Sequence, residues 1–124
     1  MEKKREAILL IDDEAIVLHS AQRLLERKGY TVFVATDGHY AINVLKNNKT
    51  SIGVILLDLS MPGMDGEETL EKLLEVDSEA KVILFSGYAF SKELEPLFRK
   101  GAVGHIQKPF ELKDLLEKIN EIIG

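Results

Sequence analysis

The feature that most constrains this chain is residues 52–66, Ile-Gly-Val-Ile-Leu-Leu-Asp-Leu-Ser-Met-Pro-Gly-Met-Asp-Gly. An unbroken apolar run, residues 54–57, ends on a single acid, Asp58. A run of that length, branched and closed by turn formers, suits a strand buried on both faces. Pro62 and Gly63 force a turn, and Asp65-Gly66 stands where the next helix begins, with Asp65 as its cap. Open α/β sheets hold their ligands beyond the carboxyl ends of the strands. Asp58 is therefore the candidate reactive group.

The rest of the chain repeats that design. Residues 7–11 are a second apolar run ending on acids, Asp12, Asp13 and Glu14. Helical spacing follows over 15–28, with Asp13 placed to cap it and Gly29 to stop it. Residues 30–35 are β-branched and aromatic, a strand. Asp37-Gly38 is a turn or cap before a helix over 39–47. The helix after Asp65 turns Leu70, Leu73 and Leu74 inward. Residues 81–86 read as a fourth strand ending on a hydroxyl, Ser86. Pro96 interrupts the helical span 92–100, which implies a long loop to Glu95 with a short helix, or a kink. Gly101 ends that helix. A short strand over 103–107 leads to Lys108-Pro109. Leu112, Leu115, Leu116, Ile119, Ile122 and Ile123 then form an apolar helical stripe.

The order is β-α repeated five times, which implies a parallel sheet with helices on both faces and right-handed crossovers. At 124 residues the chain is expected to be one domain, 1–124. It has no cysteine, which excludes thiolate metal sites and disulfides. A net charge of -5 argues against nucleic acid as a direct partner. There is neither a membrane-length apolar run nor a signal-peptide core, so the expected setting is the cytoplasm.

In a doubly wound sheet the ends of strands one, three, four and five share one edge. That brings Asp12, Asp13, Asp58, Ser86 and Lys108 together. Clustered carboxylates repel; at an effective dielectric near 20, two charges 4 Å apart cost about 4 kcal/mol. A hard divalent cation relieves this, and an all-oxygen set suits Mg²⁺. Asp12, Asp13 and Asp58 are the expected ligands, with the Ser60 carbonyl a further one. A carboxylate beside Mg²⁺ can attack a phosphoryl group, Lys108 can neutralise one phosphoryl oxygen, and Ser86 can donate to another. An ionised carboxylate needs no general base.

These residues resemble the receiver domain of bacterial two-component response regulators, free-standing or from a hybrid histidine kinase. The matching motifs are Asp12-Asp13, residues 57–66, Ser86-Gly87 and Lys108-Pro109-Phe110, and the likeness runs from about Glu6 to the last helix. The resemblance implies a flavodoxin-like (βα)5 fold with strand order 2-1-3-4-5. It implies that Asp58 accepts a phosphoryl group from a kinase phosphohistidine or a phosphotransfer protein, and that Lys108-Pro109 is cis. It implies a Ser86 switch that repacks the face made by helix four, strand five and helix five. An unidentified downstream effector and a phosphorylation-dependent homodimer are the associated partners.

One position departs from the family. Three residues before the lysine, where Tyr or Phe is usual, stands His105. Imidazole is smaller and titrates near neutrality, so coupling through it is expected to be weaker or pH-sensitive. His19 and His39 read as surface residues.

Three other functions compete, one of them a folded but unphosphorylated docking module, against which the intact acid set argues. A phosphatase of the haloacid-dehalogenase type carries a second acid two residues after the nucleophile; here that residue is Ser60, which argues against rapid turnover. The expectation is a switch with at most slow self-dephosphorylation. A flavodoxin-like cofactor binder needs a phosphate loop after strand one, where Asp12-Asp13-Glu14 would repel phosphate.

Overall fold

The computed structural model describes residues 6–61, 63, 65–87 and 92–123. Five strands, β1 (Ala7–Ile11), β2 (Val32–Ala35), β3 (Ile52–Asp58), β4 (Lys81–Ser86) and β5 (Gly104–Gln107), form one parallel sheet in the order β2-β1-β3-β4-β5. The helices between and after them are α1 (Ala15–Arg27), α2 (Gly38–Asn48), α3 (Gly66–Val76), α4 (Glu95–Lys100) and α5 (Leu112–Ile123). This is the architecture that the alternating runs imply.

The sheet separates two apolar layers, and strand alternation assigns residues to them. Leu9, Ile11, Ile55, Leu57, Val82 and Leu84 pack with α2, α3 and α4. Ile8, Leu10, Val54, Leu56, Ile83 and Phe85 pack with α1 and α5. β1 is buried along its whole length. Both faces of the central strands are covered, which is why their sequences are continuous apolar runs rather than alternating ones.

Local signals explain most of the boundaries. Asp37 caps α2 by accepting from the Tyr40 N–H at 2.8 Å. Asp65 caps α3 by accepting from the N–H groups of Glu67 and Glu68. Each cap satisfies helix donors that have no partner within the helix. Gly101 ends α4 with φ +129°, and a Cβ there would stand 2.8 Å from Leu74 Cδ1. Gly63 likewise takes φ +71° in the turn after β3. Pro62, expected to force that turn, lies outside the described residues, as do residues 88–91 of the expected loop.

Four expectations are refined. α1 is capped at Glu14, not Asp13, and the Glu14 side chain makes no cap bond. Asp13 stands one residue too early; it is Asp12 that accepts from the Glu14 N–H, at 2.9 Å. β2 starts at Val32, because the Tyr30 N–H is used in closing the end of α1, on Leu25 O. Pro96 is accommodated by a 3-10 turn, Lys92–Leu94, after which it falls in the first turn of α4. There its missing N–H costs no helical bond. Leu112, assigned to the α5 stripe, is instead 37% exposed; Leu115 and Ile119 are buried.

Candidate phosphoacceptor site

The register of the sheet builds the site. Ile11 pairs with Leu57, and each is followed by an acid, so Asp12 and Asp58 emerge side by side. Asp58 itself pairs with Phe85, which Ser86 follows. The ladder continues past the strands. The Asp12 N–H donates to Ala35 O, the Leu59 N–H to Phe85 O, and the Lys108 N–H to Ser86 O at 2.6 Å. The backbone on either side of the reactive groups is thereby fixed before any side chain contributes.

Asp12 and Asp58 are buried, with 0% and 1% exposure; Asp13 is exposed. Asp12, Asp13 and Asp58 each offer an oxygen within 4.8 Å of the others. Lys108 Nζ reaches into this group, 3.0 Å from Asp12 Oδ2 and 3.3 Å from Asp58 Oδ2. Three carboxylates against one lysine leave a formal charge of −2. Asp58 Oδ1 accepts from the Ser60 N–H at 2.9 Å. Asp58 Oδ2 is buried and has no well-aligned hydrogen bond among the described residues; Lys108 Nζ faces it at 3.3 Å.

The titration of these groups follows from burial and from their neighbours. Burial pushes the Asp12 carboxyl up, and the nearby Asp58 adds to this; the Glu14 N–H and Lys108 oppose it without cancelling it. For Lys108, burial acts downward, but the pull of Asp12 and Asp58 outweighs it and the ammonium is held above its ordinary range. Lys108 therefore remains charged in the range where its partners ionise.

The structure thus brings Asp12, Asp13, Asp58 and Lys108 into one cluster, as expected. Ser60 joins it through its backbone N–H. Ser86 is buried at the end of β4 and lies 3.1 Å from His105 Nε2. The sequence reading paired these two residues as switch positions without foreseeing a hydrogen bond between them. It also missed two neighbours of Lys108. Glu14 Oε1 stands 3.6 Å from Nζ, and the Phe85 ring lies beneath it at 4.9 Å, itself met edge-on by Phe110. Phe85 was legible only as a strand residue, because its contact with a cation depends on where β5 ends.

Comparison with known proteins agrees with this fold. Residues 8–120 match the family model of the response regulator receiver domain. The chain belongs to the response regulator receiver family. The receiver is 32% identical over 117 residues to the chemotaxis protein CheY of Treponema pallidum, covering 94% of this chain and 81% of that one. It is 32% identical over 116 residues to the sensor kinase CckA of Brucella abortus, covering 94% of this chain but only 12% of the kinase. Among solved structures, a CheY-like receiver domain from Methanospirillum hungatei superposes with a TM-score of 0.86 at 34% identity, covering 94% and 91% of the two chains. The CheX-CheY-BeF3-Mg²⁺ complex from Borrelia burgdorferi superposes with a TM-score of 0.87 at 27% identity, covering 95% and 89%. Membership places the receiver in two-component signalling, with the five-stranded 2-1-3-4-5 sheet of that family. Among the described residues no helix is long and apolar enough to cross a membrane.

Proposed function

We propose that this receiver is a phosphorylation-driven switch in which Asp58 is the phosphoacceptor. The observation that carries the proposal is the buried Asp58 carboxylate, within 4.8 Å of Asp12 and Asp13 and facing Lys108. The donor would be the phosphohistidine of a histidine kinase or phosphotransfer protein. An O–P bond forms to Asp58 as the donor's N–P bond breaks, and the departing imidazole keeps the electron pair and takes up a proton. Lys108 neutralises one phosphoryl oxygen, and the Ser86 hydroxyl donates to another.

The donor set fits Mg²⁺. It is all oxygen, its formal charge of −2 is uncompensated, and one buried carboxylate oxygen lacks a well-aligned hydrogen bond among the described residues. Asp12, Asp13 and Asp58 would hold the ion, with the Ser60 carbonyl as a further ligand. When bound it would offset carboxylate repulsion and draw in the phosphoryl group. Ser60 occupies the place where an acid would be needed for rapid turnover, which supports a switch that at most slowly loses its own phosphoryl group.

Partner docking is favoured beside Lys108, where Ile16, Val17, Pro109, Phe110 and Leu112 line an apolar groove of about 620 Å³. Ile16 there is 83% exposed. A cytoplasmic donor protein fits this groove, and we assign the response to the face made by α4, β5 and α5. A downstream effector or a second phosphorylated copy would read that face.

The test is thermal unfolding of wild type and Asp58→Ala with Mg²⁺, then with Mg²⁺ plus beryllofluoride. A ligand at 100 times its Kd should add about 2.7 kcal/mol. Stabilisation at both steps, with the second lost in Asp58→Ala, supports the reading. A beryllofluoride step that persists in Asp58→Ala would sink it.

A further inference from the structure

The Ser86–His105 contact is specific to this chain's own residues. A buried hydroxyl has one proton to give and two lone pairs to fill. Ser86 is 0% exposed, so its partners must come from within the protein. His105 Nε2, at 3.1 Å, is one of them. The direction of that bond decides what the hydroxyl can do. If Nε2 accepts, Ser86 spends its only proton on the ring. If Nε2–H donates, the bond fills a lone pair of Ser86, and the hydroxyl proton must point somewhere other than the ring.

Strand register makes this a designed reach rather than a chance approach. Leu84 pairs with His105 and Ser86 with Gln107, so His105 meets Ser86 along the diagonal of the β4–β5 ladder. Only a side chain of some length spans that diagonal, and it does so with its far nitrogen. A Phe ring at this position would offer Ser86 no polar group. Two of the three states of an imidazole can donate from Nε2: the Nε2–H neutral form and the imidazolium, which carries a proton on both nitrogens. Burial first, and the Lys118 cation second, hold the ring toward its neutral form.

We propose that His105 is a positioning residue whose Nε2–H donates to Ser86 Oγ and so directs the Ser86 hydroxyl proton toward a phosphoryl group at Asp58. The proposal rests on Asp58 being the phosphoacceptor. It turns the departure from the family's usual aromatic residue into a gain in hydroxyl orientation.

Two measurements on the whole chain decide it. The first is the ring ¹⁵N chemical shifts of His105 above its titration range, which distinguish a protonated from a bare Nε2. A protonated Nε2 is expected; a bare one overturns the proposal. The second is the rate of phosphorylation by acetyl phosphate with Mg²⁺, for wild type, His105→Phe, His105→Gln and Asp58→Ala. Loss of one neutral hydrogen bond predicts a rate about five-fold lower in His105→Phe. Gln, whose terminal amide has a similar reach, should bring it back to within about two-fold of wild type. His105→Phe as fast as wild type, or His105→Gln as slow as His105→Phe, overturns the positioning role alone. Wild type that accepts no more phosphoryl than Asp58→Ala would instead overturn the phosphoacceptor reading, and with it the proposal.

Discussion

The two halves of the site are built differently. Asp12, Asp58 and Lys108 continue the alternation of Leu10, Leu56 and Ile106, and so belong to the layer covered by α1 and α5. Ser86 and His105 continue the alternation of Leu84, on the side of α4. The first half is held by charge among buried groups and by backbone bonds on both sides. The second is joined by one hydrogen bond between neutral side chains, with His105 half-buried and the six-residue α4 nearby. In the function proposed above, a group of like charges held against its own repulsion receives a cation and a phosphoryl group. A contact worth about one neutral hydrogen bond orients a hydroxyl without anchoring the strands that carry it.

The contrast can be broken hardest at Lys108. Lys108→Met keeps the side chain's length and removes the cation that faces the acids. Leaving buried carboxylates unpaired should cost about 3 kcal/mol of stability in metal-free buffer, read as a lower urea midpoint at an unchanged slope. A loss no larger than that of a surface lysine would show that the acids are not under strain.

Asp58→Asn acts in the opposite direction. The charges facing Asp58 are Asp12 and Asp13 against Lys108, a net repulsion. Neutralising Asp58 should therefore stabilise the metal-free protein, by about 1 kcal/mol given the scale of such charge pairs. The gain should vanish in saturating Mg²⁺, and calorimetry with and without the ion checks both arms.

Ser86→Ala tests the other half. It removes the neutral hydrogen bond to His105, and the loss expected from that bond is about 1 kcal/mol. A loss as large as that of Lys108→Met would mean that the two halves are equally anchored.

The smallest effect is in the pH dependence. Burial, and then Lys118, lower the folded pKa of His105 below its ordinary 6.5. As pH falls through 6.5 the unfolded chain binds a proton that the folded ring still refuses. The stabilisation is thus complete above 6.5 and is lost progressively on acidification through the window just below it. His105→Gln should flatten the stability curve in that window and leave it unchanged above. An identical slope in the variant would place the titration elsewhere.

Much of this was legible in the sequence, and the reason is physical. A parallel strand covered on both faces must be a continuous apolar run, and a polar residue can end it only where the sheet opens to solvent. That fixed five strands, their order of connection, and Asp12, Asp58, Ser86 and Lys108 as strand-end groups. Asp37 and Asp65 were legible as caps because capping is local. Asp13 failed as a cap because it precedes the helix by one residue too many, a distinction that depends on where the backbone turns.

The tertiary structure alone decided relations across strands. Which carboxylate oxygen faces Lys108, the Phe85 ring beneath that lysine, and the Glu14 contact depend on the relative stagger of β1, β4 and β5. So does the Ser86–His105 hydrogen bond. The sequence marked His105 as an unusual residue at a switch position; only the β4–β5 register showed that its far nitrogen meets the serine. Local patterning determines where a strand ends, because burial and turn chemistry act over a few residues. It does not determine which side chains meet beyond that end, because their meeting is set by packing between elements distant in the chain.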